Sequence, residues 1–150
     1  MRHPAALVVI SLWGLLSSAS AMAFDFGSVT RDAVLFENSS QNARKLAILR
    51  PGTPVEIVVT SPDLRWIKVR DPSGALSWIE GNAVGKQRTV LVTVDQAAVR
   101  REAKADSPIV FEAIRDVVLE FVSLERGGWV KVRHVDGESG FVRSSEVWGL

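Results

Sequence analysis

The chain holds 150 residues, 18 of them Lys or Arg and 17 Asp or Glu, with 47% hydrophobic residues and no cysteine. That length sets a prior of about one domain, and the ordinary charge content marks a globular chain. The lack of cysteine excludes a disulfide framework, thiolate metal ligands, a cysteine nucleophile and a lipidated N-terminal cysteine. A net charge of +1 argues against a general nucleic-acid or membrane-surface binder, which needs clustered Lys and Arg.

The first predicted element is a targeting segment. Arg2 and His3 precede a twelve-residue apolar run, Ala5 to Leu16, with Ser11 its one clearly polar side chain. A membrane-spanning helix needs about 20 such residues, so this run is too short. Small residues follow, and Ala21 and Ala23 stand at the −3 and −1 positions of a signal cleavage site before Phe24. Cleavage after Ala21 fits nearly as well. Residues 1–23 are thus expected to be a signal peptide. Their removal takes away Arg2 and no acidic residue, leaving 17 basic and 17 acidic residues in 24–150. No later apolar run reaches spanning length. The expected product is periplasmic or secreted, with no stable membrane anchor after cleavage.

The remainder repeats itself. Trp66–Gly85 (WIKVRDPSGALSWIEGNAVG) aligns without a gap on Trp129–Trp148 (WVKVRHVDGESGFVRSSEVW) at an offset of 63. Six of these twenty positions are identical, several times what average composition gives. Upstream the order is the same, with Ala33–Glu37 facing Ala97–Glu102 and Leu49–Val59 facing Ile114–Val122. Each half therefore predicts an apolar β-branched strand, a Trp-led strand, a tight turn and a closing strand with an aromatic. Asp71-Pro72-Ser73-Gly74 and Asp136-Gly137 are the turn signals. Alternation puts Ile67 and Val69 on one face of the Trp-led strand and Trp66, Lys68 and Arg70 on the other. Short strands with turns every ~8–12 residues predict small β-barrels. Units of ~60 residues are marginal alone, and the connection Gly85-Lys86-Gln87-Arg88 is short, so the halves, 24–86 and 87–150, are expected to touch.

The inventory for catalysis is thin. His134 is the one histidine after residue 23, its counterpart in the first half is Asp71, and no G-x-S-x-G elbow occurs. Glu112/Asp116 and Asp136/Glu138 are carboxylate pairs of the kind expected at this composition. A zinc site would have to combine His134 with carboxylates alone. Arg100-Arg101 is followed by Glu102 and reads as a solvated strand end. Neither an enzyme, nor a metal, nor a cofactor is predicted.

The duplicated pattern resembles the bacterial SH3 family. The residues that carry the likeness are Ala98-Val99-Arg100, Gly128-Trp129-Val130-Lys131-Val132-Arg133, Asp136-Gly137 and Gly140-Phe141-Val142 in the second half. In the first they are Leu49-Arg50-Pro51-Gly52, Trp66-Ile67-Lys68-Val69-Arg70 and Trp78-Ile79. The resemblance implies an all-β chain of two tandem SH3-like barrels in contact, each of five or six strands, that binds rather than catalyses. Departures are Ser77 for the usual Gly, Phe36 where the second half has Arg100, and no second-half match to Gly52. Ligand-facing Pro and Tyr of eukaryotic SH3 domains are replaced by Arg143 and Glu146, and by Glu80 and Ala83, and the chain has no Tyr. A polyproline groove needs stacked aromatic walls, so that ligand is not expected.

Trp66 and Trp129 occupy the place that resembles the ligand-contacting Trp of SH3 domains. They serve a ligand surface or pack beneath a loop or in the seam between halves. Lys68, Arg70, Lys131 and Arg133 share their face. These cations pair a ligand carboxylate or neutralise Asp71, Glu80 or Glu138 across the hairpin. Trp78 and Phe141 complete the candidate ligand-binding set, as core-edge aromatics or contacts. The expected partner is peptidoglycan or an envelope protein or peptide, with no role for nucleic acid. An assembly subunit using its sheet edges is the alternative.

Overall fold

The computed structural model describes residues 25–150, so the signal peptide expected over residues 1–23 and its two expected cleavage sites lie outside the described residues. Fourteen strands make two antiparallel sheets. The first uses β1 (Asp25–Val29), β2 (Ala33–Phe36), β3 (Lys45–Leu49), β4 (Pro54–Thr60), β5 (Trp66–Arg70), β6 (Leu76–Glu80) and β7 (Val84–Gly85). The second uses β8 (Thr89–Val92), β9 (Gln96–Arg100), β10 (Ile109–Ile114), β11 (Val118–Glu125), β12 (Trp129–Arg133), β13 (Ser139–Arg143) and β14 (Val147–Trp148). Strand order is 3-2-6-5-4-1-7 in one and 10-9-13-12-11-8-14 in the other, the same topology twice. Each unit has seven strands rather than five or six. The extra pairing is the two-residue return after a 3-10 turn, at Gly81–Ala83 and Ser144–Glu146.

Alternation places the core. Ile67, Val69 and Ile79 point inward with Val29, Leu35 and Val55 in the first unit, and Val130, Val132 and Val142 with Val90, Val99 and Leu119 in the second. Matching bulges interrupt β4 and β11, at Ile57/Val59 and Phe121/Ser123. The turn at Asp71 closes with Gly74 N–H donating to the Asp71 carbonyl at 2.9 Å, and Gly137 does the same to His134 at 2.9 Å. Gly74 and Gly137 have φ of 88° and 99°, a region that disfavours side chains. Asp116, with φ 67°, holds the left-handed turn that Gly52 holds at 85°. Its amide bonds Val92 O as that of Gly52 bonds Val29 O, which is why the second unit dispenses with that glycine.

The two units meet in a built seam. Thr89 Oγ1 lies 2.6 Å from the Gly52 carbonyl and 2.7 Å from Ser28 Oγ. The single Thr89 proton goes to the carbonyl, so Ser28 is the donor between the hydroxyls. Phe26 of the first unit packs edge-on against Trp148 of the second, centroids 5.1 Å apart. The Arg88 guanidinium stacks 4.3 Å from the Phe121 ring and 5.8 Å from Phe26, and donates to Gly149 O at 3.0 Å.

Candidate functional site

Both candidate tryptophans sit on the face away from the core, as alternation requires, yet both are covered. Trp66 is 8% exposed and Trp129 5%. Neither packs in the seam. A strand's period of two tells which face a side chain takes, while loops returning from elsewhere decide whether that face meets water.

Over Trp66 the cover is incomplete. The indole packs edge-on against Phe36 at 5.4 Å and forms the floor of two adjoining hollows of about 260 and 560 Å³. One wall is the connection from β2 to β3, contributing Gln41; the other is the loop Ser61–Arg65; Glu80 and Asn82 close the end. Each wall is pinned. Arg31 donates to Glu80 Oε2 at 2.9 Å and to Asn82 Oδ1 at 2.6 Å, and Gln41 donates to Glu80 Oε1 at 3.0 Å. Those bonds, Arg31 first and Gln41 second, hold the Glu80 carboxyl below the usual glutamate range. In the loop, Ser61 donates to Asp63 Oδ1 at 2.6 Å and accepts from the Trp66 amide at 3.0 Å. The Ser61 bond, then that from the Arg65 amide, lowers the Asp63 carboxyl. The loop is tied to the 3-10 turn by Gly81 N–H donating to Arg65 O at 2.8 Å.

Leu64, on this rim, is 71% exposed with φ 59°. A left-handed backbone costs an L-residue ~1–2 kcal/mol, and the duplicated position is Gly127, at φ 74°. The first unit thus holds an exposed apolar side chain at a position where its twin uses glycine. Its loop is also longer, five residues between strands against three in the second unit.

The second unit closes the same place with its own chain. Trp129 pairs across the strands with Arg143, as Trp66 pairs with Glu80. The Arg143 guanidinium lies 3.9 Å from the Trp129 ring centroid. Lys131 stands 5.9 Å over Phe141.

The remaining sequence candidates divide. Arg70 and Arg133 form the repeated ion pairs Arg70–Glu56 at 2.9 Å and Arg133–Glu120 at 3.7 Å. Their partners lie on the preceding strand rather than across the following hairpin, because the register sets Glu56 opposite Arg70 and Glu120 opposite Arg133. Lys68 sits opposite Trp78 and both are partly buried, beside the Phe36–Trp66 pair. His134 pairs with Asp136 at 2.8 Å in its turn and packs on Phe111. The groove also uses Gln41, Leu64, Glu80, Gly81 and Asn82, which were not candidates. The 63-residue offset carried a signal for two of them, Glu80 against Arg143 and Leu64 against Gly127.

A model of the Bacterial SH3 domain matches the chain twice, at residues 30–85 and 93–149. No curated protein matches it. Solved structures similar to it include NlpC2 from Trichomonas vaginalis (14% identity, TM-score 0.39, 87% of this chain and 50% of that one). NlpC1 from the same organism is 16% identical, with TM-score 0.39 over 93% and 51%. An NlpC/P60 family protein from Bacillus cereus is 15% identical, with TM-score 0.34 over 82% and 55%. The chain spans about half the length of those proteins. Two matched segments covering most of the chain, on one strand order used twice, identify it as a member of the bacterial SH3 domain family, with two tandem copies.

Proposed function

We propose that this chain is an exported, non-catalytic binding module of the bacterial cell envelope, and that its ligand, a peptide or peptidoglycan fragment, seats in the Trp66 groove of the first unit. The observation that carries this reading is the asymmetry between the copies: one conserves an aromatic floor beneath an open, pinned groove, while the other fills that place with Arg143. The groove chemistry favours binding over turnover. Ser61 is committed to Asp63 and to the Trp66 amide, and a carboxylate held below its usual range is a weak proton acceptor. His134 belongs to the other unit. The signal peptide read in residues 1–23 supports a periplasmic or secreted location.

Cosedimentation of the mature chain with purified sacculi tests the reading. Retention that is lost in Trp66→Ala and kept in Trp129→Ala supports the groove. Equal retention of wild type and Trp66→Ala overturns it.

An assembly role through β-augmentation is the second reading. It is favoured by strands β3 and β10, which end their sheets and expose Leu46, Ile48, Ile109 and Ile114. A specific envelope protein retained by wild type, lost when Ile48 is changed to Lys, and no affinity for sacculi would favour it.

A further inference from the structure

The duplication supplies a stand-in for a ligand group, because the two copies set different side chains opposite the same ring. We infer that the group seated on Trp66 is a cation, an ammonium or guanidinium at the end of an aliphatic stem, in the place that Arg143 occupies over Trp129. This inference rests on the groove reading above and adds the chemistry of what binds there.

In the second unit the strand register sets Arg143 opposite Trp129, and the guanidinium lies 3.9 Å from the ring centroid. That is inside the ~6 Å reach of a cation–π contact, which is strongest on Trp. In the first unit the same register position holds Glu80. Its charge is reversed, and its side chain is drawn toward Arg31 and Gln41 instead of over the ring. Among the described residues no Lys or Arg of the chain stands over Trp66. A face that accepts a cation in one copy is left without one in the other, with a carboxylate at its edge.

The rim sharpens the class. Arg31 is spent on Glu80 and Asn82, and Asp63 and Arg65 line the opposite side. The local charges balance, so the ring and its edge carboxylate discriminate more than a general field does. Leu64 stands exposed at the lip, at a backbone position that favours glycine. It offers an apolar surface for the methylene stem of a lysine-like or arginine-like side chain.

The test is a titration of the mature chain, following the Trp66 and Trp129 indole N–H resonances. The probes are an end-blocked Gly-Lys-Gly peptide and the same peptide with its side-chain amine acetylated. The free amine is expected to shift Trp66 and leave Trp129 unmoved, with affinity roughly tenfold above the acetylated form. Glu80→Arg copies the second unit and is expected to abolish the response. Arg143→Glu uncovers the twin site, and a new response at Trp129 is expected. Arg143→Ala serves if that variant fails to fold.

Equal response to both peptides, a full response in Glu80→Arg, or no Trp66 shift at roughly 10 mM probe, well above the millimolar Kd of a weak contact, overturns the inference. Sacculi separate the two levels. Retention unaffected by acetylating their free amines leaves the groove reading standing and sinks the cation, whereas no retention of the wild type sinks the reading itself.

Discussion

Gly81 is the residue whose replacement most directly tests how the groove is built. Its φ is not in the left-handed region, so its own backbone would accept alanine. The obstacle is the neighbouring loop: a Cβ at Gly81 would lie 2.1 Å from the Leu64 carbonyl oxygen and 3.2 Å from its carbon. Contacts of this kind normally exceed ~3 Å, so the loop must retreat by about 1 Å, and overpacking of this size costs ~1–3 kcal/mol. The Gly81 amide bond to Arg65 O, 2.8 Å long, joins the same two segments, and its loss adds ~0.5–1.5 kcal/mol. Gly81→Ala is therefore expected to destabilise the chain by ~1.5–4.5 kcal/mol, read from the midpoint of urea unfolding by tryptophan fluorescence. Ser144→Ala is the control. The duplicated position already carries a side chain and makes the equivalent bond, Ser144 N–H to Gly128 O at 2.9 Å, so a change within ~0.5 kcal/mol is expected. Leu64→Gly should partly rescue Gly81→Ala, because glycine lets the offending carbonyl turn away. A Gly81→Ala midpoint indistinguishable from wild type would refute the account of a loop locked against the 3-10 turn.

Thr89→Val removes the hydroxyl shared by Ser28 and Gly52, leaving buried Ser28 without that partner. A loss of ~1–3 kcal/mol in the same unfolding measurement is expected, and none is expected from Ser123→Ala, whose hydroxyl bonds Glu125 beside it. Arg88→Ala takes the guanidinium from between Phe26 and Phe121. Calorimetry of the variant should resolve two transitions against the single one expected of wild type, and an unchanged single transition would show that Arg88 is not what couples the units. The groove should be insensitive to pH from neutrality to about 5. Glu80 titrates below its ordinary value of 4.5, so the stabilisation is fully present above that value and is lost as pH falls through the lower folded value. The Trp66 indole resonance followed from pH 7 to 2 checks this, and a change centred near neutrality would contradict it.

The asymmetry of the two copies was partly written in the chain. Aligning Trp66 on Trp129 also aligns Glu80 on Arg143 and Leu64 on Gly127. What that alignment lacks is the strand register, which alone says that position 80 faces Trp66 and that position 143 faces Trp129. Likewise the ion pairs of Arg70 and Arg133 follow from the preceding strands, displaced by a bulge in each. Pattern in a single strand carries no information about its partner's offset.

Local sequence determined the strands, the inward set around Ile67, Val69, Val130 and Val132, the turns at Gly74 and Gly137, and the doubling of the unit. Those features depend on neighbours a few residues apart, through the two-residue period of a strand and the φ that a tight turn demands. Tertiary structure alone decided that both tryptophans are covered, that one cover is the chain's own arginine and the other an open groove, and that Arg88 and Thr89 join the units. Each of these is set by segments far apart in sequence meeting in space, where the loop from β4 to β5 rests on Gly81 and the start of β8 reaches Gly52.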